Sequence, residues 1–192
     1  MAEANPQLIV IAGPNGAGKT TLAPVLLRDT LGLMEYVNAD PIALGLSAFQ
    51  PEKVAFEARR VMLRRLRDLA EQRISFAFES TLSYASWIEQ LRRQGYDFHL
   101  MFLWLRSPDV AVERVKERVR RGGHDVPEGV IRRRYVAGVM NFFQLYRPLA
   151  QTWAVYDNSD SGGPLLVADG AAGGEQIVYN GESWSRICGD TE

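Results

Sequence analysis

The sequence predicts a three-layer α/β/α fold around a sheet of five parallel strands. Three observations lead there. Strand-like and helix-like segments alternate along most of the 192 residues, the pattern that produces parallel pairing with right-handed crossovers. The strand-like runs are nearly continuously apolar, as strands covered on both faces must be. The first of them leads into a glycine-rich turn ahead of a helix, and ligands of such sheets bind beyond the carboxyl ends of the strands.

The elements follow in order. Gln7 to Ala12 is an apolar strand bounded by glycine. Thr20 to Leu31 reads as a helix, and Tyr36 to Ala39 as a short strand ending at Asp40. Pro51 suits the first turn of a long helix. In that helix Val54, Ala58, Val61, Met62, Leu66, Leu69 and Ala70 recur at helical spacing. Ile74 to Phe78 is the next strand, ending at Glu79, and Tyr84 to Gln94 is a helix stopped by Gly95. Phe98 to Leu105 is a buried strand. Ser107-Pro108-Asp109 combines a cap, a first-turn proline and an acid at the helix start. That helix runs to Arg121 and breaks at Gly122-Gly123. Another opens at Pro127 and ends before Pro148. Thr152 to Tyr156 is the fifth strand. Leu165 to Ala168 and Gln176 to Tyr179 form an antiparallel hairpin. The expected strand order, by analogy with other sheets of this architecture, is 2-3-1-4-5.

Composition excludes several classes. The chain has 22 basic and 23 acidic residues, a net charge of −1, which disfavours a general polyanion or membrane-surface binder. The longest strongly apolar run, Leu100 to Leu105, is far too short to span a membrane. The start has neither a basic nor an apolar leader region, so a cytoplasmic protein is expected. The one cysteine, Cys188, permits no disulfide within the chain and reads as a bystander thiol. The expected organisation is one domain over residues 1–192. Residues 106–134 form an arginine-rich lid, and 160–192 form a hairpin extension and acidic tail.

Gly13-Pro14-Asn15-Gly16-Ala17-Gly18-Lys19-Thr20 fits G-x-x-x-x-G-K-[ST], the phosphate-binding P-loop, in the strand-to-helix context that the motif requires. Its glycines let backbone N–H groups turn inward around phosphate oxygens, and the helix N-terminus adds positive potential. Lys19 is expected to reach the β- and γ-phosphates, Thr20 to ligate Mg²⁺, and Thr21 to support the α-phosphate. ATP and Mg²⁺ are the cofactors this implies, and the fold is of the kinase type among P-loop NTPases.

Two acids follow at strand ends. Asp40 is placed to orient or deprotonate an acceptor hydroxyl, or to cap the helix before Pro41. Glu79 resembles the acid that holds Mg²⁺ through water, a substrate anchor, or a salt-bridge partner. Ser80 and Thr81 are candidate substrate or metal-shell hydroxyls. Residues 106–134 carry nine basic and five acidic residues. Arg114, Arg118 and Arg121 share one helix face and look outward, with Val112, Val115 and Val119 buried roughly 120° around. Arg132-Arg133-Arg134 follow the glycine break. Such a segment suits a lid whose arginines stabilise charge in phosphoryl transfer. Solvated amphipathic helices are the alternative. His124 is suited to touch a phosphate or to cap the helix at Pro127. The arginines of the long helix, Arg59, Arg60, Arg64, Arg65 and Arg67, read as a solvated face. Phe142, Phe143, Tyr146 and Trp153 read as core. No exposed aromatics interleave with the arginines of 106–134, so base stacking on nucleic acid is unsupported.

These residues together resemble the zeta-toxin family of kinases. The likeness rests on Gly13 to Thr21, Asn38-Ala39-Asp40, Phe78-Glu79-Ser80-Thr81-Leu82, Arg120 to Pro127, Arg133-Arg134-Tyr135 and Val155 to Ser159. It implies an ATP-dependent kinase of a small hydroxyl-bearing molecule, with UDP-N-acetylglucosamine as the family's sugar-nucleotide acceptor. On that resemblance Lys19 binds phosphates and Asp40 is the base. Glu79 and Thr81 contact substrate, and the lid arginines Arg118, Arg121, Arg133 and Arg134 clamp ATP. Asn158 lies near adenine, and an antitoxin is a partner to expect. Two positions depart from the pattern: no arginine follows Asp40 within Pro41-Ile42-Ala43, and Ser83 stands where family members carry arginine. An ATPase switch without kinase activity and a polynucleotide or RNA-directed kinase are the alternative readings.

Overall fold

The computed structural model describes residues 4–30, 32–123 and 125–189. It holds one seven-stranded sheet in the order β2-β3-β1-β4-β5-β6-β7. The strands are β1 (Gln7–Ala12), β2 (Tyr36–Val37), β3 (Phe76–Ser80), β4 (Asp97–Trp104), β5 (Thr152–Asp157), β6 (Leu165–Ala171) and β7 (Gln176–Val178). β2, β3, β1, β4 and β5 pair in parallel, and β6 and β7 add antiparallel. This is the α/β P-loop kinase-type architecture, with the expected strand order. Leu8, Val10, Ile11, Phe76, Phe78, Phe98 and Phe102 are fully buried in its centre.

The helices are α1 (Lys19–Pro24), α2 (Ala39–Leu46), α3 (Ala55–Glu71), α4 (Ala85–Arg93), α5 (Pro108–Arg120), α6 (Glu128–Asn141) and α7 (Gly181–Gly189). Helix α3 buries Ala58, Met62, Leu66 and Leu69 as one seam. Ser107 caps α5 by accepting from the N–H of Val110 at 3.3 Å. Between α5 and α6, Arg132 bridges Asp109 and Glu128, and Lys116 approaches Glu128 at 3.6 Å.

Several boundaries differ from the sequence reading. β3 starts at Phe76 and carries Glu79 and Ser80 inside it. The cause is the end of α3: Arg73 takes φ +54°, and the N–H of Ile74 returns to the carbonyl of Leu69 at 3.1 Å. Ile74 therefore belongs to a helix-closing turn. α1 is short, because Pro24 lies within it and the chain continues as a π-type turn over Val25–Thr30. Helix α2 stands where the sequence offered a helix only as the alternative role of Asp40; Pro41 sits in its first turn, and Asn38 rather than Asp40 is its cap. Val119 is not buried with Val112 and Val115; it is 37% exposed. The segment expected as hairpin and tail also forms α7. There Trp184 stacks on Trp153 at 5.9 Å, and the guanidinium of Arg147 lies 4.5 Å over the Trp153 ring.

Among the described residues no helix is long and apolar enough to cross a membrane. Leu66, at the centre of the α3 seam, tests this packing: Leu66→Ala is expected to lower unfolding free energy by about 2–5 kcal/mol, measured by urea denaturation.

Candidate active site

The site lies where β1, β2 and β3 end. Parallel register sets Ile11 beside Glu79 and Val37 beside Phe78. The residues just beyond β1 and β2 and the acid of β3 therefore meet at one edge. Gly13 to Gly18 wrap this edge. Gly13 (φ +146°) has no room for a side chain, since a Cβ there would stand 2.3 Å from the carbonyl oxygen of Leu103. Asn158, just past β5, donates from Nδ2 to the carbonyl of Ala17 at 2.8 Å. It braces the loop rather than facing the cleft. Asn158 is itself fixed by its N–H to the carbonyl of Trp104 at 3.0 Å.

Lys19 Nζ donates to the carbonyls of Gly13 (2.9 Å) and Pro14 (3.0 Å). Burial of its ammonium pushes its pKa down; Glu79 and Asp40 oppose that, while Arg118 and Arg134 add to it. Glu79 is pushed the other way by burial, and Lys19, Tyr36 and Thr20 counter it. A lysine and a carboxylate thus sit in one desolvated pocket, each the other's main compensation.

Glu79 is gripped by neighbours of three elements. Tyr36 of β2 donates its hydroxyl to Oε1 in a short contact. Asn38 donates from Nδ2 to the same oxygen at 2.9 Å, and Thr20 of α1 bonds Oε2 at 3.2 Å. Asn38 is only 8% exposed. Its Oδ1 accepts from the N–H of Asp40 at 2.9 Å and caps α2. Asp40 is thus not the cap; it lies in the first turn of α2 with its side chain exposed. Burial and the Glu79 charge raise the Tyr36 phenol above its ordinary value, so it is a hydrogen-bond donor at neutral pH.

These groups line a cleft of about 520 Å³ that includes Asn15, Gly16, Gly18, Lys19, Thr20, Thr21, Asp40, Glu79, Ser80 and Thr81. Arg114, Arg118 and Arg134 reach it from α5 and α6. Arg134 donates to Asn15 Oδ1 at 3.2 Å, and Arg114 to the carbonyl of Ser159 at 3.0 Å. Arg114 and Arg118 therefore face the cleft rather than bulk solvent. Arg121, placed with them by helical spacing, does not join: it is exposed and paired with Glu117 at 2.9 Å. Arg133 is exposed and does not line the cleft. The hydroxyl of Ser80 accepts from the N–H of Leu82 at 2.8 Å, holding that residue at φ +62°. Non-glycine residues adopt such a φ uncommonly, and Asn141 secures it from α6 through the Leu82 carbonyl at 3.0 Å. Thr81 is half-buried on the wall. His124 lies outside the described residues.

Sequence reasoning missed Tyr36, Asn38 as a cap, and Arg59, which lines the cleft from α3. On a helical wheel Arg59 lies about 65° from the centre of the buried seam and Arg65 about 55°, so spacing alone does not separate Arg59 from Arg65, which pairs with Glu35.

The Tyr36 contact has a measurable consequence. Its hydroxyl holds Glu79 down against burial. Tyr36→Phe is therefore expected to raise the Glu79 pKa further above the usual carboxylate range, read by NMR titration of the side-chain carboxyl.

Comparison with known proteins bears on the family and the fold. Residues 8–135 match the family model described as AAA domain. An uncharacterized protein of Haemophilus influenzae is 29% identical over 130 residues, covering 66% of this chain and 91% of that protein. The cytidylate kinase of Haloarcula marismortui is 33% identical over 121 residues, covering 58% of each. Among solved structures, the AvrRxo1-ORF1:ORF2 crystal structure with ATP superposes with a TM-score of 0.74 at 23% identity, covering 96% of this chain and 64% of that one. The PezAT toxin–antitoxin system of Streptococcus pneumoniae superposes with a TM-score of 0.63 at 13% identity, covering 99% and 87%. The chain thus spans less than two thirds of the cytidylate kinase and of the AvrRxo1 chain. With two thirds of its length matched by that model, this chain belongs to the AAA domain family, as a P-loop protein of the kinase-like type.

Proposed function

We propose that the chain is an ATP-dependent kinase that transfers the γ-phosphoryl group of ATP to a hydroxyl of a small molecule. One observation carries this reading: a P-loop lysine, an exposed aspartate in a helix's first turn and a caged glutamate open on the same cleft. The ATP in the AvrRxo1 structure and the kinase among the sequence relatives support it. The sugar-nucleotide acceptor and antitoxin partner implied by the zeta-toxin resemblance belong to the same proposal, as does a cytoplasmic location. The PezAT likeness supports the antitoxin.

The backbone N–H groups of Asn15 to Thr20 at the start of α1 hold the triphosphate, with Lys19 on the β- and γ-phosphates. Thr20 Oγ1 and Glu79 Oε2, 3.2 Å apart, are hard oxygen donors that suit Mg²⁺. That ion takes few protein ligands and completes its shell with phosphates and water. When bound, it neutralises charge on the phosphates. Thr21 supports the α-phosphate and Thr81 contacts the acceptor. The acceptor oxygen forms a bond to the γ-phosphorus as the bond from phosphorus to the β–γ bridging oxygen breaks. ADP leaves, and the acceptor's proton passes to the Asp40 carboxylate. Arg118 and Arg134 stabilise charge on the transferring group. The α5–α6 pair acts as the lid. Asn158 serves nucleotide binding through the loop it braces.

Two variants test this assignment. Asp40→Asn is expected to lower kcat by about 10²- to 10⁴-fold while ATP affinity, followed by isothermal calorimetry, stays unchanged. Transfer at the wild-type rate would remove Asp40 as the base. Lys19→Ala is expected to abolish measurable nucleotide binding in the same instrument, and unchanged affinity would remove the P-loop assignment.

A further inference from the structure

We infer that Asn141 is a positioning residue for the acceptor, and that through it helix α6 braces the acceptor-side turn when the P-loop holds a nucleotide. This rests on the kinase reading and adds an order to it: nucleotide first, acceptor second.

The turn after β3 carries Thr81 and Ser83 on the cleft wall. Side chains hold it. Ser80 Oγ accepts from the N–H of Leu82 at 2.8 Å and from that of Ser83 at 3.4 Å. The N–H of Tyr84 donates to the hydroxyl of Tyr146 in a short contact. Asn141 donates from Nδ2 to the carbonyl of Leu82 at 3.0 Å. Leu82 stands at φ +62°, which a residue with a Cβ keeps only where its surroundings impose it. Its side chain is buried, so packing fixes one side of the turn and the polar bonds fix its backbone. Asn141 ends α6, and Tyr146 ends the π-type turn Phe142–Tyr146 that continues it. The acceptor wall is therefore set from α6.

The earlier part of the same helix lies at the phosphate site. Arg134, Ala137 and Asn141 are spaced three and four residues apart and so share one helix face. All of them line the cleft. Arg134 donates to the neutral amide of Asn15 in the P-loop at 3.2 Å. Burial, and then the charges of Arg59 and Arg133, disfavour its charged form. A polyphosphate in the loop offers it a charge-assisted partner in place of an amide. From Arg134 to Asn141 the helix rises only about 10 Å. Ile131, Tyr135 and Val139 seat its other face in the core, so the segment between the two ends behaves as a stiff bar. What tightens at Arg134 damps excursions at Asn141 and in the turn that Asn141 holds. An acceptor that meets a turn already stilled loses less conformational freedom on binding.

Hydrogen exchange of the full chain, followed by mass spectrometry on peptides spanning residues 80–86, reads the turn. The probe is the non-hydrolysable ATP analogue AMP-PNP with Mg²⁺, at a concentration that calorimetry shows to saturate each variant. In wild type the analogue is expected to slow exchange in these peptides by about fivefold or more, the scale of one hydrogen bond. Asn141→Leu keeps the size and removes the donor. It is expected to speed exchange of the free protein about fivefold and to respond to the analogue by less than about twofold. Arg134→Gln is expected to exchange within about twofold of wild type when free and to lose the same response. An Asn141 with a merely structural role would speed exchange in both states alike and leave the ratio of free to bound unchanged. That ratio overturns the inference, as does a full response in Arg134→Gln or no slowing in wild type with the analogue bound. In each of these cases the kinase reading stands. No binding of the analogue to wild type overturns both. Where Asn141→Leu does not fold, Asn141→Asp, which keeps the shape without the donor, is read in its place with the same expected loss.

Discussion

One buried amide ties the site together. The Asn38 side chain accepts from the N–H of Asp40 and donates to Glu79. The first bond starts α2 and fixes where Asp40 stands. The second anchors that start to the central strand pair. Because the amide oxygen is committed to an N–H, the orientation of the group is unambiguous. An alanine there would remove the cap and leave Glu79 short of a donor in a low-dielectric pocket, where each lost partner costs more than in water. The spacing of Asp40 and Glu79 is thus set by one side chain that bonds both.

Much of this was legible in the sequence, for definite reasons. Gly13 to Thr20 is read from a spacing whose chemistry is local: the loop's function is in its own backbone. β1 and β4 are read from apolar runs because a strand buried on both faces has no other composition. Tyr36 was not legible. It sits in a two-residue strand, and its partner Glu79 lies 43 residues away. Only the β2–β3 register brings them together. Helix α2 was obscured because Asp40-Pro41 carries the marks of a strand end, whereas proline is equally at home in a helix's first turn. Trp184 concealed α7 in another way: glycines around 162–174 mark turns, and the helix after them is defined by packing on Trp153 rather than by a long periodic pattern.

The Lys19–Glu79 pair shows why the site is chemically poised rather than merely stable. Both groups are disfavoured in their charged forms by burial, and each is rescued chiefly by the other. Such a pair offers little net stability. It does hold a cation and an oxygen donor side by side on the cleft wall. A polyphosphate ligand exchanges one set of Lys19 contacts, the loop carbonyls, for stronger charge-assisted ones.

The arginines finish the argument about charge. The net value of −1 conceals a division of labour among 19 of them. Those with carboxylate partners lie on exposed surfaces: Arg132 ties Asp109 to Glu128 across α5 and α6, whose spacing is set by the buried Ala111, Val112, Val115, Ile131 and Tyr135. That spacing positions Arg118 and Arg134 over the P-loop. Arginine suits both tasks, because its planar fork pairs two oxygens at once and stays charged when partly buried. A lysine at 132 would keep the charge but bridge the two acids less firmly. The cleft arginines are thus carried by two helices whose buried faces, Val112 and Val115 on one and Ile131 and Tyr135 on the other, lie in the core.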